Sequence, residues 1–144
     1  MHRNRNKSAI KDIRISNDMQ WQRQHWRSLC AAYQRSAFFE FYQDELVTYY
    51  EKKYEFLFDY NLELLQFILS QLHITTKVES TSAYQDPSEI LIDDYRAECD
   101  TGEPGVPGNE SSYPQVFSYK NNFTGGLSVV DLLFSMGPRS VEYL

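Results

Sequence analysis

At 144 residues the chain is the length of one domain, and a net charge of −6 with a pI near 5.0 excludes broad electrostatic binding to nucleic acid or anionic lipid. Hydrophobic residues at 42% and aromatics at 15%, with 11 Tyr and 9 Phe, exclude a disordered chain and supply a core. No apolar run reaches the roughly 20 residues of a membrane span, and MHRNRNKSAI lacks the apolar stretch of a signal peptide, so the expected location is cytoplasmic.

In chain order, IKDIRIS alternates well enough for a short strand over residues 10–15, and Ser16, Asn17 and Asp18 then offer helix-capping side chains. From Met19 to Gln34, helical spacing puts Trp21, His25, Leu29 and Ala32 together with Trp26, Cys30 and Tyr33 on one broad buried stripe, leaving Arg23, Gln24, Arg27 and Arg35 wet. A second helix is expected over residues 37–54, with Phe38, Phe41, Tyr42, Leu46, Tyr49 and Tyr50 inside and Glu51, Lys52 and Lys53 outside. In FLFDYNLELLQFILSQLHI, Asp59 or Asn61 can cap a third helix whose Leu62, Leu65, Ile68, Leu69 and Leu72 face the core. TTKVEST favours a short strand, and residues 97–113, rich in acids, Gly and Pro without periodicity, read as a flexible loop. PQVFSYKNNF suits a strand ending in an Asn-Asn turn. A last helix spans about Ser128 to Met136, with Gly137 at its C-cap and Pro138 beyond.

Few motifs carry chemistry. Cys30 and Cys99 lack CxxC spacing, so neither a zinc site nor a disulfide framework is indicated, and Asp93-Asp94 diverge too far to make a metal pair. GEPGVPG lacks the strand-before, helix-after context of a phosphate loop. His25, between two tryptophans, can act as a general acid or base or sit hydrogen-bonded in the core. Trp21 and Trp26 can form a stacking platform or simply fill the core. Asp12 with Arg14, and Asp59 with Asn61, can hold polar substrate groups, or else form a surface ion pair and a helix cap. Asp131, in an otherwise apolar helix three residues after Ser128, must be paired or neutralised. Arg3, Arg5, Arg14 and His25 are its candidate partners: an arginine makes a structural clamp, His25 an acid–base dyad.

Taken together, HRNR, IKDIRISN, W-x3-HW, FLFDYNLELL and LSVVDLLFSMGP resemble the WbqC-like protein family in this order. The resemblance implies a helix-rich α/β (α+β-like) fold with three central helices, a C-terminal helix and short strands. It also implies a bacterial cytoplasmic protein of surface-polysaccharide (O-antigen or lipopolysaccharide) biosynthesis, an enzyme or enzyme accessory acting on an activated amino sugar. The alternatives are a non-catalytic interaction protein and a truncated, non-functional fragment. Partners would be a nucleotide-sugar substrate or a sugar-modifying enzyme; no cofactor or metal is named. The family's polar positions fall on Arg3, Asn4, Arg5, Asp12, Arg14, Trp21, His25, Trp26, Asp59, Asn61, Ser128 and Asp131, with His25 and Asp131 the catalytic candidates and the rest substrate-binding. Family members carry several dozen further N-terminal residues, including a Pro-rich segment. Here only Asn6 to Ala9 separate the R-N-R motif from Ile10, so residues 1–144 are expected to be a single domain truncated at its N-terminus and lacking part of the family's sheet. Gly125-Gly126 and Ser135 replace a usual Pro-Asn and Asn.

Overall fold

The computed structural model describes residues 9–17, 20–84, 86, 94–95 and 111–144. Among these are five α-helices: α1 (Trp21–Tyr33), α2 (Phe39–Glu51), α3 (Leu57–Gln71), α4 (Ser118–Asn121) and α5 (Val129–Met136), with 3-10 turns at Ile10–Asp12 and Gly137–Tyr143. The helix-rich expectation holds, but among the described residues no strand forms. The strand expected at residues 10–15 is a 3-10 turn followed by one antiparallel bridge, Arg14 to Phe56, in which the Ile15 N–H donates to Glu55 and the Leu57 N–H to Ile13, both at 2.9 Å. The pairing stops there because α3 begins at Leu57 and the backbone groups after it bond within the helix. Residues 75–81 likewise carry no strand. Where PQVFSYKNNF was read as a strand, the chain turns into the short α4 and ends it at Asn122, with φ +55°. The expected loop at residues 97–113 lies outside the described residues except at 111–113.

α2 is the hub. Its Phe39, Tyr42 and Leu46, at i, i+3 and i+7, are buried, and they join Phe67, Ile68 and Leu72 of α3 and Leu133 and Phe134 of α5 in one core, against which Trp26, Leu29, Cys30 and Tyr33 of α1 pack from the side. Of the residues expected inside α2, Tyr42 and Leu46 are in the core and Phe38, Tyr49 and Tyr50 pack against it, whereas Phe41 is 74% exposed; on α3, Leu65 is 43% exposed. A turn through residues 34–38 delays α2 to Phe39, and that start selects the Phe39–Tyr42–Leu46 row over the overlapping Phe38–Phe41 row. Much of the core is aromatic, with Phe134 at its centre: the rings of Tyr33 and Phe39 each meet it edge-on at 5.1 Å, and Tyr42 lies at 6.4 Å.

The helix ends differ from their expected caps. Neither α1 nor α3 has a capping side chain: Asn17 instead donates to the Tyr54 carbonyl at 3.0 Å, and Gln22 to the Lys52 carbonyl at 2.6 Å, which pins the N-terminal segment and α1 to the α2–α3 connection. Asp59 sits in the first turn of α3, where its charge complements the helix dipole without capping it. α3 ends in a Schellman pattern with His73 rather than glycine in the left-handed position (φ +55°), the Ile74 N–H reaching Leu69 and the His73 N–H reaching Ser70.

α5 has the expected ends. Ser128 accepts from the Val130 N–H at 3.3 Å, and Gly137 (φ +57°) closes the helix. A Cβ at Gly137 would also clash with the Phe38 ring, 2.4 Å from its Cδ1. Gly137→Ala is therefore expected to destabilise by at least about 2 kcal/mol, since both the dihedral and the clash oppose it. A urea midpoint within error of the unaltered chain would refute this.

Candidate functional site

Three of the twelve candidate residues, Arg3, Asn4 and Arg5, lie outside the described residues. The other nine separate into four places. Asp12 is exposed in the N-terminal turn. Arg14, also exposed, pairs with Glu55 at 2.6 Å and lies over the Phe56 ring. With both side chains largely in water this pair adds little to stability. Asp59 and Asn61 are exposed near the start of α3.

Asp131 occupies the second place. It is 3% exposed, and among the described residues its partners are tyrosines: the Tyr113 hydroxyl donates to its Oδ2 at 2.9 Å, and the Tyr33 hydroxyl interacts with it from α1. Burial pushes the Tyr33 hydroxyl up to about 12, with the charge of Asp131, a hydrogen bond to it and Tyr113 adding to the effect. The expected meeting of Asp131 with His25 or Arg14 is not what the chain forms. His25 is exposed on α1, and Arg14 is engaged by Glu55. Asp131 ties the segment around Tyr113, whose ring rests on Phe123 and Tyr143, to the C-terminal helix. Ser128, also expected to bind substrate, caps that helix.

Trp26 belongs to the third place, the core edge, half-buried against Phe39 at 6.0 Å and Tyr50 at 5.7 Å. The fourth is the outward side of α1. Trp21 is half-buried there and touches His25 edge-on at 5.3 Å and Tyr60 at 5.4 Å, while its indole Nε1 is buried with no hydrogen-bond partner among the described residues. This correction follows from helix geometry: the Trp26, Leu29, Cys30 and Tyr33 side faces the core, and 100° per residue swings His25 away from it.

An open cleft of about 460 Å³ runs along this side, lined by Gln20, Trp21, Arg23, Gln24, Arg27, Ser28 and Ala31. A second of about 320 Å³, lined by His25, Ser28, Leu29 and Tyr50, shares Ser28 with it. The α1 face thus unites two of the expected residues, Trp21 and His25, with four that the sequence reading left as solvated surface or did not single out: Arg23, Gln24, Arg27 and Ser28. The signal for them was present, because Arg23 and Arg27, and Gln24 and Ser28, recur at i, i+4 beside Trp21. Chemically, two guanidinium groups four residues apart can hold phosphate oxygens, the amides of Gln20 and Gln24 can read hydroxyls, and the indole offers a stacking face. Among the described residues no group of three His, Cys, Asp or Glu side chains could hold a metal ion, and no helix is long and apolar enough to cross a membrane.

A pH test follows from the buried phenols. Tyr54 is raised by burial and then by its bond to Glu63, at 2.6 Å, and Tyr60 by burial and then by Tyr50. A phenol held above its ordinary 10.0 contributes stability that is complete below pH 10 and is lost as pH rises through the folded value, about 12 for Tyr33. Stability is expected to stay flat on this account up to pH 10 and then fall, with tyrosinate absorbance from these residues appearing together with loss of the helical signal. Ionisation of all the tyrosines near pH 10 with the helices intact would contradict the burial.

Residues 1–101 match the model of the WbqC-like protein family. The match ends before the segment LSVVDLLFSMGP, so Ser128 and Asp131 lie beyond it, whereas the α1 face lies wholly within it. No curated protein and no solved structure is measurably similar to the chain.

Proposed function

Because the chain belongs to the WbqC-like protein family, we propose that it acts in the cytoplasm in the assembly of bacterial surface polysaccharide, such as O-antigen or lipopolysaccharide, by binding an activated amino sugar on the exposed side of α1. The observation that carries this reading is the cleft in which Arg23 and Arg27 stand beside the Trp21 indole in a chain of net charge −6. Arginines grouped on one cleft of an acidic protein can bind a diphosphate while the rest of the surface repels other polyanions. His25 is the group suited to proton handling there, because it is exposed at the rim, whereas Asp131 belongs to the core. An α/β layer within a single domain spanning residues 1–144 is part of the same proposal; its support is the antiparallel Arg14–Phe56 bridge.

The test is isothermal titration with UDP-N-acetylglucosamine as probe. Saturable binding is expected, weakened at least tenfold in the Arg23→Ala/Arg27→Ala double variant, whose substitutions lie on exposed positions and leave the fold intact. Absence of saturable binding to the unaltered chain sinks the reading.

One observation favours a second reading, a non-catalytic protein docking on a sugar-modifying enzyme: Phe41 on α2 stands 74% exposed, its ring against Tyr42. On that reading Phe41→Ser would abolish co-purification with such an enzyme and leave nucleotide-sugar binding untouched. A non-functional fragment is distinguished from both by a non-cooperative thermal melt.

A further inference from the structure

The second cleft contains a group that neither the family pattern nor the helical pattern singled out for chemistry. Tyr50 of α2 is half-buried and lines the cleft with His25, Ser28 and Leu29. Its ring is fixed on two sides, tilted against Trp26 at 5.7 Å and edge-on to Tyr60 at 6.4 Å. Tyr60 behind it is 7% exposed, and its hydroxyl is raised well above the usual phenol range, by burial first and then by hydrogen bonding to Tyr50. Tyr60 therefore keeps its proton at neutral pH, and its hydroxyl pairs with that of Tyr50. A phenol carries one proton and accepts through its lone pairs. On the wall of the cleft, the Tyr50 hydroxyl can therefore bond a ligand as well as Tyr60. The same Tyr60 ring supports Trp21 at 5.4 Å, so the two clefts share one rigid aromatic base.

We propose that Tyr50 is a specificity-determining residue of the α1 site, donating from the second cleft to a hydroxyl or acetamido oxygen of the sugar while Arg23 and Arg27 hold the diphosphate in the first. His25 and Ser28 complete the polar rim around the sugar, and Tyr60 is a positioning residue that acts through Tyr50. This inference rests on the reading of the α1 face given above, and it adds the division of labour: phosphates on one side of Ser28, sugar on the other.

The experiment compares UDP-N-acetylglucosamine with UDP alone on the full chain. Tyr50→Phe keeps the ring against Trp26 and Tyr60 and removes only the hydroxyl, so the fold is retained, with its thermal melt as the check. It is expected to weaken UDP-N-acetylglucosamine roughly tenfold and UDP less than twofold. Tyr60→Phe should weaken the nucleotide sugar in the same direction by a smaller factor, again sparing UDP. Equal effects of Tyr50→Phe on both ligands, or no effect on either, overturn the assignment of Tyr50 while leaving the α1 reading in place. Failure of the unaltered chain to bind either ligand removes both.

Discussion

Replacing Phe134 with alanine is expected to lower the stability of the chain by about 4 kcal/mol, the largest effect of any single truncation considered for this protein. The side chain is 1% exposed and sits where α1, α2 and α5 converge, with the rings of Tyr33 and Phe39 edge-on at 5.1 Å and Tyr42 at 6.4 Å. Its own carbonyl accepts from the Phe38 N–H at 2.9 Å, so the backbone around it cannot move inward to fill the space. The loss therefore combines the transfer of a whole aromatic ring with an unrelaxed cavity. Phe134→Leu keeps most of the volume and should lose about 1.5 kcal/mol. Urea unfolding measures both, through a lower midpoint at unchanged slope. A loss under about 1 kcal/mol in the alanine variant would mean that α5 is not packed on α2 as described.

Asp131→Ala carries the second large expectation, a loss of about 3 kcal/mol. The side chain is buried and accepts from Tyr113 at 2.9 Å, with Tyr33 also engaged, so truncation strands two hydroxyls at the edge of the core. Asp131→Asn retains an acceptor of the same shape and should recover about half of the loss. In a double-mutant cycle, Asp131→Ala with Tyr113→Phe should destabilise by about 1 kcal/mol less than the sum of the two single changes, because the second removes a hydroxyl that the first had already stranded. Additive losses would show that the carboxylate and Tyr113 are not coupled. The same variants discriminate function. If Asp131 acts only in the core, Asp131→Asn binds UDP-N-acetylglucosamine as the unaltered chain does, whereas a tenfold loss of binding by the folded variant would return Asp131 to the site.

The existence and order of the main helices were legible because apolar residues recur at helical spacing, as in Leu62, Leu65, Ile68, Leu69 and Leu72, although Leu65 turns out to be exposed and Leu64 and Phe67 pack inward. The stop at Gly137 was legible too, since a positive φ under the Phe38 ring leaves glycine the fitting residue. The strands were misread for a different reason. IKDIRIS has the alternation of a strand, but alternation cannot supply a partner, and residues 55–57 provide one bridge before α3 begins. On α2 the expected face held at Tyr42, Leu46, Phe38, Tyr49 and Tyr50, but Phe41 was placed inside instead of Phe39, because these adjacent aromatics satisfy two helical rows at once and only the turn before Phe39 selects one. In the same way, Gln115 reads as an ordinary polar residue, yet it is buried and bonds both backbone groups of Thr124, closing a loop that its sequence does not announce.

For the site, the sequence by itself determined that Trp21 and His25 share a helix side, that the helix carries arginines, and that the chain resembles the WbqC-like family, because each of these depends on residue type and local spacing alone. The tertiary structure decided which way that helix turns. Packing of Trp26, Leu29, Cys30 and Tyr33 against α2 and α5 rotates His25 outward to the cleft with Ser28 and Tyr50. It also decided the partners of Asp131: Tyr113 is 18 residues away and Tyr33 lies on another helix. No local pattern encodes such a pairing. A buried carboxylate demands a hydrogen-bond donor, and which donor answers is set by the long-range packing of the chain.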